Sequence, residues 1–512
     1  MIIFGKEARE KLMEGINLVA DTVAPTLGPQ ARTVILESDK PIIVNDGVTI
    51  ARHISHPDQF VNMGVKLLQS VASEAQGYAG DGTTTASILA RRICEHGLGL
   101  VEDGYSPVQL KKELEEGVVV ILEELEKAAV PVEDSAMIRN VATISANNDL
   151  ELGDLICSVM EKVGKDGVIT VQEANSIETT FDIVEGIKLD RGYISHLMMN
   201  NKETAECVFN NPLVFMCNED VRNAQDIIPV MEIALSNKRP LLIIAKTFQG
   251  TALNSLLFNL MHKTIDCAVI RCPNFGDEAI EEMEDITSVI GGNVINVEIG
   301  GDISKAVFED LGQCNRIVIT KGTTTIIGGD ANTVEERIST LNAQYEEAPN
   351  DWFKDKLKYR IGKLAGGIGV IKVGGATEVE MKERKERLDD ALNATKAAMQ
   401  EGVVIGGGMA LVEASRVIAS KEGVDGLLWR CLLEPLRVLL ANGANKNEFS
   451  ALSFSNTNMG YDALTDSKVN LWDAGIIDPV KVTRASLQAA ASIAGMVLTT
   501  EVLVGINNEV LV

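Results

Sequence analysis

The chain has 512 residues, a formal net charge of −26 at pH 7 and a sequence pI near 4.7. This length exceeds what one hydrophobic core usually supports, so two or three domains are predicted. So acidic a surface repels nucleic acid and anionic membranes, which argues against a role in binding either.

Cysteine and histidine spacing gives no sign of a metal site. The eight cysteines are scattered without a Cys-x-x-Cys pair, and the five histidines are dispersed. We therefore expect free thiols in a reducing, cytoplasmic environment. The start, "MIIFGKEAREKLMEG", becomes charged too early for a signal peptide. The apolar segment "SLQAAASIAGMVLTTEVLV" carries Gln488, Ser492 and Glu501, which favours a buried helix over a membrane span.

Helical periodicity marks both ends of the chain and an α/β pattern marks the middle. The segment "EAREKLMEGINLVADTVAPTLG" places five apolar residues on one helical face: Leu12, Ile16, Val19, Ala20 and Val23. From about residue 185, the short apolar runs "PLVFMC", "PLLIIA", "CAVIRC" and "RIVIT" alternate with helical stretches. The helical pattern then returns and continues to the end. This order predicts a discontinuous outer domain that carries an inserted α/β domain.

The stretch "GDGTTT" (residues 80–85) precedes a predicted helix and suits a triphosphate with Mg²⁺. The first backbone N–H groups of a helix lack partners and favour anions, and glycines allow close approach of the backbone. Asp81 supplies a carboxylate oxygen of the kind that Mg²⁺ prefers. The same residues are also typical of a helix start that is merely well capped.

Two further turns suit a phosphate site, but each is also typical of an ordinary structural turn. "TLGPQAR" is a Gly–Pro turn after a helix, which is also typical of a helix C-cap followed by proline. "VNDGVTIA" places Asp46 in an Asp–Gly turn that could belong to a plain hairpin. A Walker A loop is missing, because "VGKDG" lacks the following Ser or Thr and the required glycine. No protein-kinase set of motifs is found either.

Fifteen motifs in order resemble the group I (GroEL-type) chaperonins from Phe4 to about Glu501. They include "TLGPQAR", "NDGVTIA", "AGDGTTTASILA", "ATISANND", "KLAGGIGVIKVGGATEVEMKERK", "DDALNATKAA" and "GIIDPVKVTRASLQAAASIAGMVLTTE". The resemblance implies a multi-domain α and α/β fold. Residues 1–127 and 401–512 would form a mostly helical equatorial ATP-binding domain. Residues 128–184 and 369–400 would form a small hinged intermediate domain, and 185–368 an inserted α/β apical domain that binds client proteins.

By this resemblance, Asp81 binds Mg²⁺, Asp46 lies near the γ-phosphate and the attacking water, and Asp390 is the residue most closely tied to hydrolysis. The spacing alone does not choose between Asp389 and Asp390, since both lie off the apolar stripe of their helix. The resemblance implies further nucleotide contacts at Thr26, Leu27, Gly28, Pro29, Gly82, Thr83, Thr84, Thr85, Ile144, Gly407, Asp462, Ala463, Ile476 and Asp478.

The resemblance also implies a surface in the middle domain that binds non-native chains and a co-chaperonin. The matching positions are Tyr193, Leu197, Met198, Ile228, Met231, Leu253, Leu257 and Phe258. Apolar stripes such as "NAQDIIPVMEIAL" and "GTALNSLLFNLMHK" are equally typical of helices that pack in a core. Exposed apolar patches would bind unfolded chains because the contact removes apolar surface of both partners from water.

The function implied is that of an ATPase: a chaperonin subunit that captures non-native polypeptides and promotes their folding in a cavity, driven by Mg-ATP. Its partners would be identical subunits in a seven-membered ring, client chains and a GroES-type co-chaperonin, with no nucleic acid or membrane. The alternative, from another class, is a chaperonin-like holdase or scaffold with little or no ATP turnover.

Several positions depart from the family pattern. Gln30 and Ala31 replace a Lys–Gly pair, and Asn45 replaces a lysine at a position associated with a monovalent cation, which leaves K⁺ dependence open. Asp462 replaces an asparagine on the adenine side. Asn445 and Lys446 replace an acidic pair used between rings, so single and double rings both stay open. The end, "NNEVLV", lacks the usual Gly–Gly–Met tail.

Overall fold

The computed structural model describes residues 1–37, 42–164, 167–174, 176–201, 204–274, 276–348, 350–418, 424–443 and 458–505. The departures at Asn445, Lys446 and "NNEVLV" lie outside these residues. The chain divides into two compact units. The first comprises Met1–Ser158, Val171–Thr180 and Lys372–Val512, and the second comprises Val159–Thr170 and Phe181–Ile371.

The predicted apical range, 185–368, falls entirely within the second unit. The bounds of all three domains, equatorial, intermediate and apical, stay predictions.

Helices occur along the whole chain. In the described residues they are α1 (Gly5–Val23), α2 (Gly47–His53), α3 (Gln59–Ala79), α4 (Thr83–Glu102), α5 (Pro107–Ala128), α6 (Ser135–Ser145), α7 (Leu150–Val163), α8 (Ala224–Asn237), α9 (Gly250–Met261), α10 (Asp277–Ile290), α11 (Ala331–Glu346), α12 (Asp351–Ala365), α13 (Glu378–Glu401), α14 (Met409–Ser415), α15 (Val424–Leu432), α16 (Glu434–Asn442) and α17 (Val480–Leu498).

The strands are mostly short. They are β1 (Ile2–Phe4), β2 (Val34–Leu36), β3 (Ile42–Val44), β4 (Val168–Glu173), β5 (Thr180–Val184), β6 (Gly186–Leu189), β7 (Cys207–Asn210), β8 (Leu213–Val221), β9 (Leu241–Phe248), β10 (Cys267–Arg271), β11 (Val294–Ile295), β12 (Gly312–Gln313), β13 (Arg316–Ile319), β14 (Thr324–Ile327), β15 (Ile368–Val373), β16 (Val403–Ile405), β17 (Met459–Asp462), β18 (Ser467–Asn470), β19 (Ile477–Pro479) and β20 (Val502–Val504).

The core of the first unit is built from packed helices. The predicted stripe of α1 is buried, as expected: Leu12, Ile16, Val19, Ala20 and Val23. Helices α1 and α3 meet backbone to backbone, because a Cβ on Gly15 would lie 2.0 Å from the Val61 carbonyl oxygen. A Cβ on Gly64 would likewise lie 2.1 Å from the Leu12 carbonyl oxygen. Glycine is therefore required on both sides of this crossing.

Helix α17 contains most of the apolar segment predicted as a buried helix, and it contributes many residues to the same core. Within the ranges described above, no helix is both long enough and apolar enough to cross a membrane.

The second unit has the predicted α/β character. Strands β8, β9 and β10 form a parallel sheet that β11 extends, and β12 pairs antiparallel with β8. Strands β8, β9 and β10 correspond to the runs "PLVFMC", "PLLIIA" and "CAVIRC". A second, antiparallel sheet has the order β6-β14-β13-β7 and includes the run "RIVIT". The predicted multi-domain α and α/β fold is therefore confirmed.

Candidate functional site

A cavity of about 330 Å³ lies within the first unit. Every residue predicted to contact nucleotide or to act in hydrolysis lines it: Thr26, Leu27, Gly28, Pro29, Asp46, Asp81, Gly82, Thr83, Thr84, Thr85, Ile144, Asp390, Gly407, Asp462, Ala463, Ile476 and Asp478. These residues come from segments far apart in the chain, so the fold brings them together.

The first wall is the start of α4. Gly80 and Gly82 have φ angles of +74° and +84°. Residues other than glycine rarely adopt this left-handed backbone conformation. No side chain of the described residues caps the N-terminus of α4. The Asp81 carboxylate instead accepts a hydrogen bond from the Gly82 N–H at 2.5 Å. The backbone N–H groups at the start of α4 are thus open to an anion, which favours the phosphate interpretation over the capped one.

Asp46 caps the start of α2, so its interpretation as part of a plain hairpin turn is wrong. Its carboxylate oxygens accept hydrogen bonds from the N–H groups of Val48 at 3.2 Å and Thr49 at 2.7 Å. A Cβ on the next residue, Gly47, would lie 2.5 Å from the Thr84 hydroxyl oxygen. The absence of a side chain there lets the start of α2 approach the start of α4 closely, which places Asp46 on the cavity.

The "TLGP" turn is tied to the start of α4. The Thr26 hydroxyl donates to the Val23 carbonyl at 2.7 Å, and it lies 3.3 Å from the Thr84 hydroxyl. Gly28 has a φ of +86°, and a Cβ there would lie 2.3 Å from a methyl carbon of Leu439. The turn therefore presents backbone to the cavity where a side chain would not fit.

Helix α13 supplies Asp390, and the two aspartates that spacing could not separate differ in position. Asp390 lines the cavity, whereas Asp389 does not. Leu388, Ala391 and Leu392 of the same helix are buried. A Cβ on Gly80 would lie 2.4 Å from the Cβ of Asn393, so α13 rests directly on the loop that carries Asp81.

The remaining walls are a glycine turn and a hairpin. Strand β16 pairs antiparallel with β19, and Asp478 lies opposite Val404 in that pair. Gly407 follows β16 with a φ of +63°. In the β17–β18 hairpin, the Asp462 carboxylate accepts from the Leu464 N–H at 2.9 Å and from the Thr465 hydroxyl at 2.6 Å.

Like charges converge on the cavity. Burial raises the pKa of Asp390 well above its usual range, and the nearby charges of Asp81 and Asp46 raise it further. Burial also raises the pKa of Asp81 to about 6, against hydrogen bonds from the Gly82 N–H and Ser145. Burial and the charge of Asp81 raise the pKa of Asp478 to about 7. This cluster therefore favours protonated carboxyl groups, and a bound cation would relieve the same repulsion.

The carboxylates suit a metal only together with a ligand. Among the described residues, no group of three or more carboxylate, thiolate or imidazole side chains could hold a metal ion. Mg²⁺ in nucleotide sites is usually held by one or two carboxylates plus phosphate oxygens, which Asp81 beside a helix N-terminus could provide. The Asn45 side-chain oxygen is buried on the cavity and has no hydrogen-bond partner among the described residues. A cation or a water could satisfy that oxygen.

Several residues of α13 that line the cavity are not among those predicted from the sequence. Glu383, Glu386 and Arg387 face the cavity together with Asp390. Arg387 pairs with Glu383 and contacts Asp149 at 3.4 Å. Residues 383, 387 and 390 follow the helical spacing i, i+4, i+7, so the periodicity of α13 could have identified them once Asp390 was chosen.

The predicted client-binding residues differ in exposure. Leu197, Ile228 and Phe258 are 46%, 45% and 62% exposed. Tyr193, Leu253 and Leu257 are half-buried against the core of the second unit. Met198 and Met231 do not contribute to a surface, because both are buried in that core.

The sulfur of Met198 accepts the Val269 N–H, which holds the side chain against the sheet. Helices α8 and α9, which carry Ile228 and Phe258, expose two further apolar residues that were not predicted, Leu235 and Met261. Leu197, Ile228, Leu235, Phe258 and Met261 are called the apolar surface of the second unit below.

Comparison with known proteins identifies the family. Residues 19–506 match the model of the TCP-1/cpn60 chaperonin family. Two crystal structures of the chaperonin gp146 from bacteriophage EL 2 (Pseudomonas aeruginosa), both in the presence of ATP-BeFx, share the fold at 20% sequence identity. Crystal form II has a TM-score of 0.70 and covers 99% of this chain and 100% of that one. Crystal form I has a TM-score of 0.66 and covers 99% of both. The chain therefore belongs to the TCP-1/cpn60 chaperonin family, in agreement with the resemblance of its motifs.

Proposed function

We propose that the chain is the subunit of an ATP-dependent chaperonin ring that captures non-native polypeptides and promotes their folding in a cavity. The observation that carries this proposal is the convergence of Asp46, Asp81, Asp390 and Asp478 around one cavity at the uncapped start of α4. The match to the chaperonin family supports it. So does the presence of ATP-BeFx with the structurally similar phage chaperonin.

The phosphates of ATP would bind the first N–H groups of α4 and the hydroxyls of Thr83, Thr84 and Thr85. Mg²⁺, held by Asp81 and phosphate oxygens, would neutralise charge on the phosphates during transfer. The base and ribose would occupy the end formed by Gly407, Ile476 and the β17–β18 hairpin.

Asp390 would orient and deprotonate the attacking water. Its raised pKa makes it a stronger base than an exposed aspartate once it is ionised. Asp46 is held by two backbone N–H groups, so it would keep a fixed position beside the water. Because α13 rests on Gly80, any displacement of this helix would separate the base from the phosphates.

Phosphate release at saturating Mg-ATP tests the proposal. We expect Asp390→Ala to lower kcat by about 10²- to 10⁴-fold, the usual contribution of a general base. Asp389→Ala is the matched control, since its neighbouring carboxylate does not line the cavity. Equal, near-zero release by the wild type and Asp390→Ala would contradict an ATP-driven machine and leave a holdase or scaffold.

A further inference from the structure

Amide side chains hold the "TLGP" turn from outside the cavity. The Asn442 side-chain N–H₂, at the end of α16, donates to the carbonyls of Ala24 and Leu27, both at 3.0 Å. One short side chain thus holds a carbonyl within the turn and another just before it. The turn cannot move away from α16 without breaking the hydrogen bond to Leu27.

A second amide links the turn to a different wall. The Gln30 side-chain N–H₂ donates to the Ala463 carbonyl in the β17–β18 hairpin, at 3.2 Å. These two residues are 433 positions apart in the chain. Leu27 and Ala463 both line the cavity, whereas Gln30 is exposed and lies outside the lining. The hydrogen bond therefore spans two walls on the outer side of the cavity.

The hairpin end of this link is internally fixed. The Asp462 carboxylate accepts hydrogen bonds from the Leu464 N–H and the Thr465 hydroxyl. These bonds fix the position of the backbone on either side of Ala463. The Thr465 hydroxyl also lies 2.8 Å from the Ser467 hydroxyl. A force on the Ala463 carbonyl is thus transmitted to the hairpin as a whole.

We propose that Gln30 is a positioning residue that latches the "TLGP" turn to the β17–β18 hairpin and slows the release of bound nucleotide. This inference rests on the proposed nucleotide site. A nucleotide between the two walls leaves when the walls separate, and that separation breaks the Gln30–Ala463 hydrogen bond. Loss of one such bond should raise the dissociation rate about threefold to tenfold and leave the association rate nearly unchanged.

Stopped-flow release of mant-ADP from the full chain, in Mg²⁺ and chased with excess ADP, measures this effect. Gln30→Met keeps a similar length and removes the donor without adding a charge, so release should accelerate. Gln30→Lys keeps a donor and should release nucleotide no faster than the wild type. Gln109→Ala is the control, because Gln109 is also exposed but donates to Glu113 within α5 at 2.7 Å.

The outcomes separate the latch from the site. Faster release in Gln30→Met, but not in Gln30→Lys or Gln109→Ala, would support the latch. A release rate in Gln30→Met equal to that of the wild type, with mant-ADP still bound, would overturn the latch alone. Failure of the wild-type chain to bind mant-ADP would contradict the nucleotide site and the latch with it.

Discussion

Asp478 shows how a single residue near the site opposes the stability of the nucleotide-free chain. Its pKa is raised from 3.8 to about 7, first by burial and then by the charge of Asp81. The folded chain therefore binds this proton more tightly than the unfolded chain. By linkage, the stability that the proton provides is present at low pH and is lost as pH rises from about 4 to about 7.

Asp478→Asn should prevent this loss of stability at higher pH, because the amide cannot ionise. We expect the Tm of the nucleotide-free variant to exceed that of the wild type by about 2–6 °C at pH 8, and the difference to shrink towards pH 6. Differential scanning fluorimetry at several pH values measures it. Exposed Asp473→Asn is the control and should show no such trend. A Tm profile of Asp478→Asn parallel to that of the wild type would contradict the argument.

Sequence analysis identified single residues where they lie in compact motifs. Thr83 to Thr85 and Asp81 are contiguous, so their shared location is a local property of the chain. The contact of Gln30 with Ala463 and the place of Tyr461 on the cavity were not predicted, because both depend on contacts between distant segments. Local spacing carries no information about such contacts.

Among the elements, helix α13 depends on a glycine in a different helix–loop junction. Gly80 ends α3 with a left-handed backbone, and its missing side chain leaves the space that Asn393 occupies. The depth at which α13 lies on the loop is therefore set by one hydrogen atom in place of a methyl group.

Gly80→Ala should move α13 away from the loop. We expect kcat for ATP hydrolysis to fall by about 10- to 100-fold, more than the affinity for mant-ADP, because Asp390, the proposed general base, would be misplaced. Gly77→Ala is a matched control in α3, since a Cβ there meets nothing within 4 Å. It should keep full activity and gain up to about 1 kcal/mol of stability. Full kcat in Gly80→Ala would show that α13 can adjust without cost.

In the second unit, periodicity predicted where the strands and helices lie more reliably than it predicted which face of each helix is buried. The strands and helices occur where the apolar runs indicated them. Helix α8 is apolar on much of its circumference, so Ile228 and Met231 looked equivalent in sequence, yet Met231 packs in the core and Ile228 is exposed. Only the position of the neighbouring sheet decides which side is covered.

At the scale of the whole molecule, the apolar surface of the second unit is the feature that a monomeric acidic protein would not need. It exposes Phe258 and Met261 on α9, and Ile228 and Leu235 on α8, a helix that contacts α9. The Phe258 ring also packs against the tilted His262 ring, with ring centroids 4.1 Å apart. Exposed patches of this kind mark binding surfaces.

Ile228→Ser combined with Phe258→Ser should weaken capture of unfolded chains. We expect a loss of at least about half of the suppression of aggregation of a chemically denatured client, followed by light scattering, because less apolar area is buried. Ile177→Ser is the control, since Ile177 is 73% exposed in the first unit. Undiminished suppression by the double variant would place client binding elsewhere.

Negative-stain images of the wild type and the double variant would show whether ring assembly is intact. They would also count the rings and the subunits in each ring. A double variant that no longer assembles would fail the comparison, and single Phe258→Ser would then replace it.

All eight cysteines of the chain are free and buried. Burial raises the pKa of the Cys94 thiol to about 12, so almost none of it is thiolate at neutral pH. The fold itself thus shields these sulfurs from oxidants, and their lack of pairing need not reflect the compartment in which the chain resides. Each thiol becomes reactive only when its surroundings open, which makes the native cysteines reporters of local unfolding in both units.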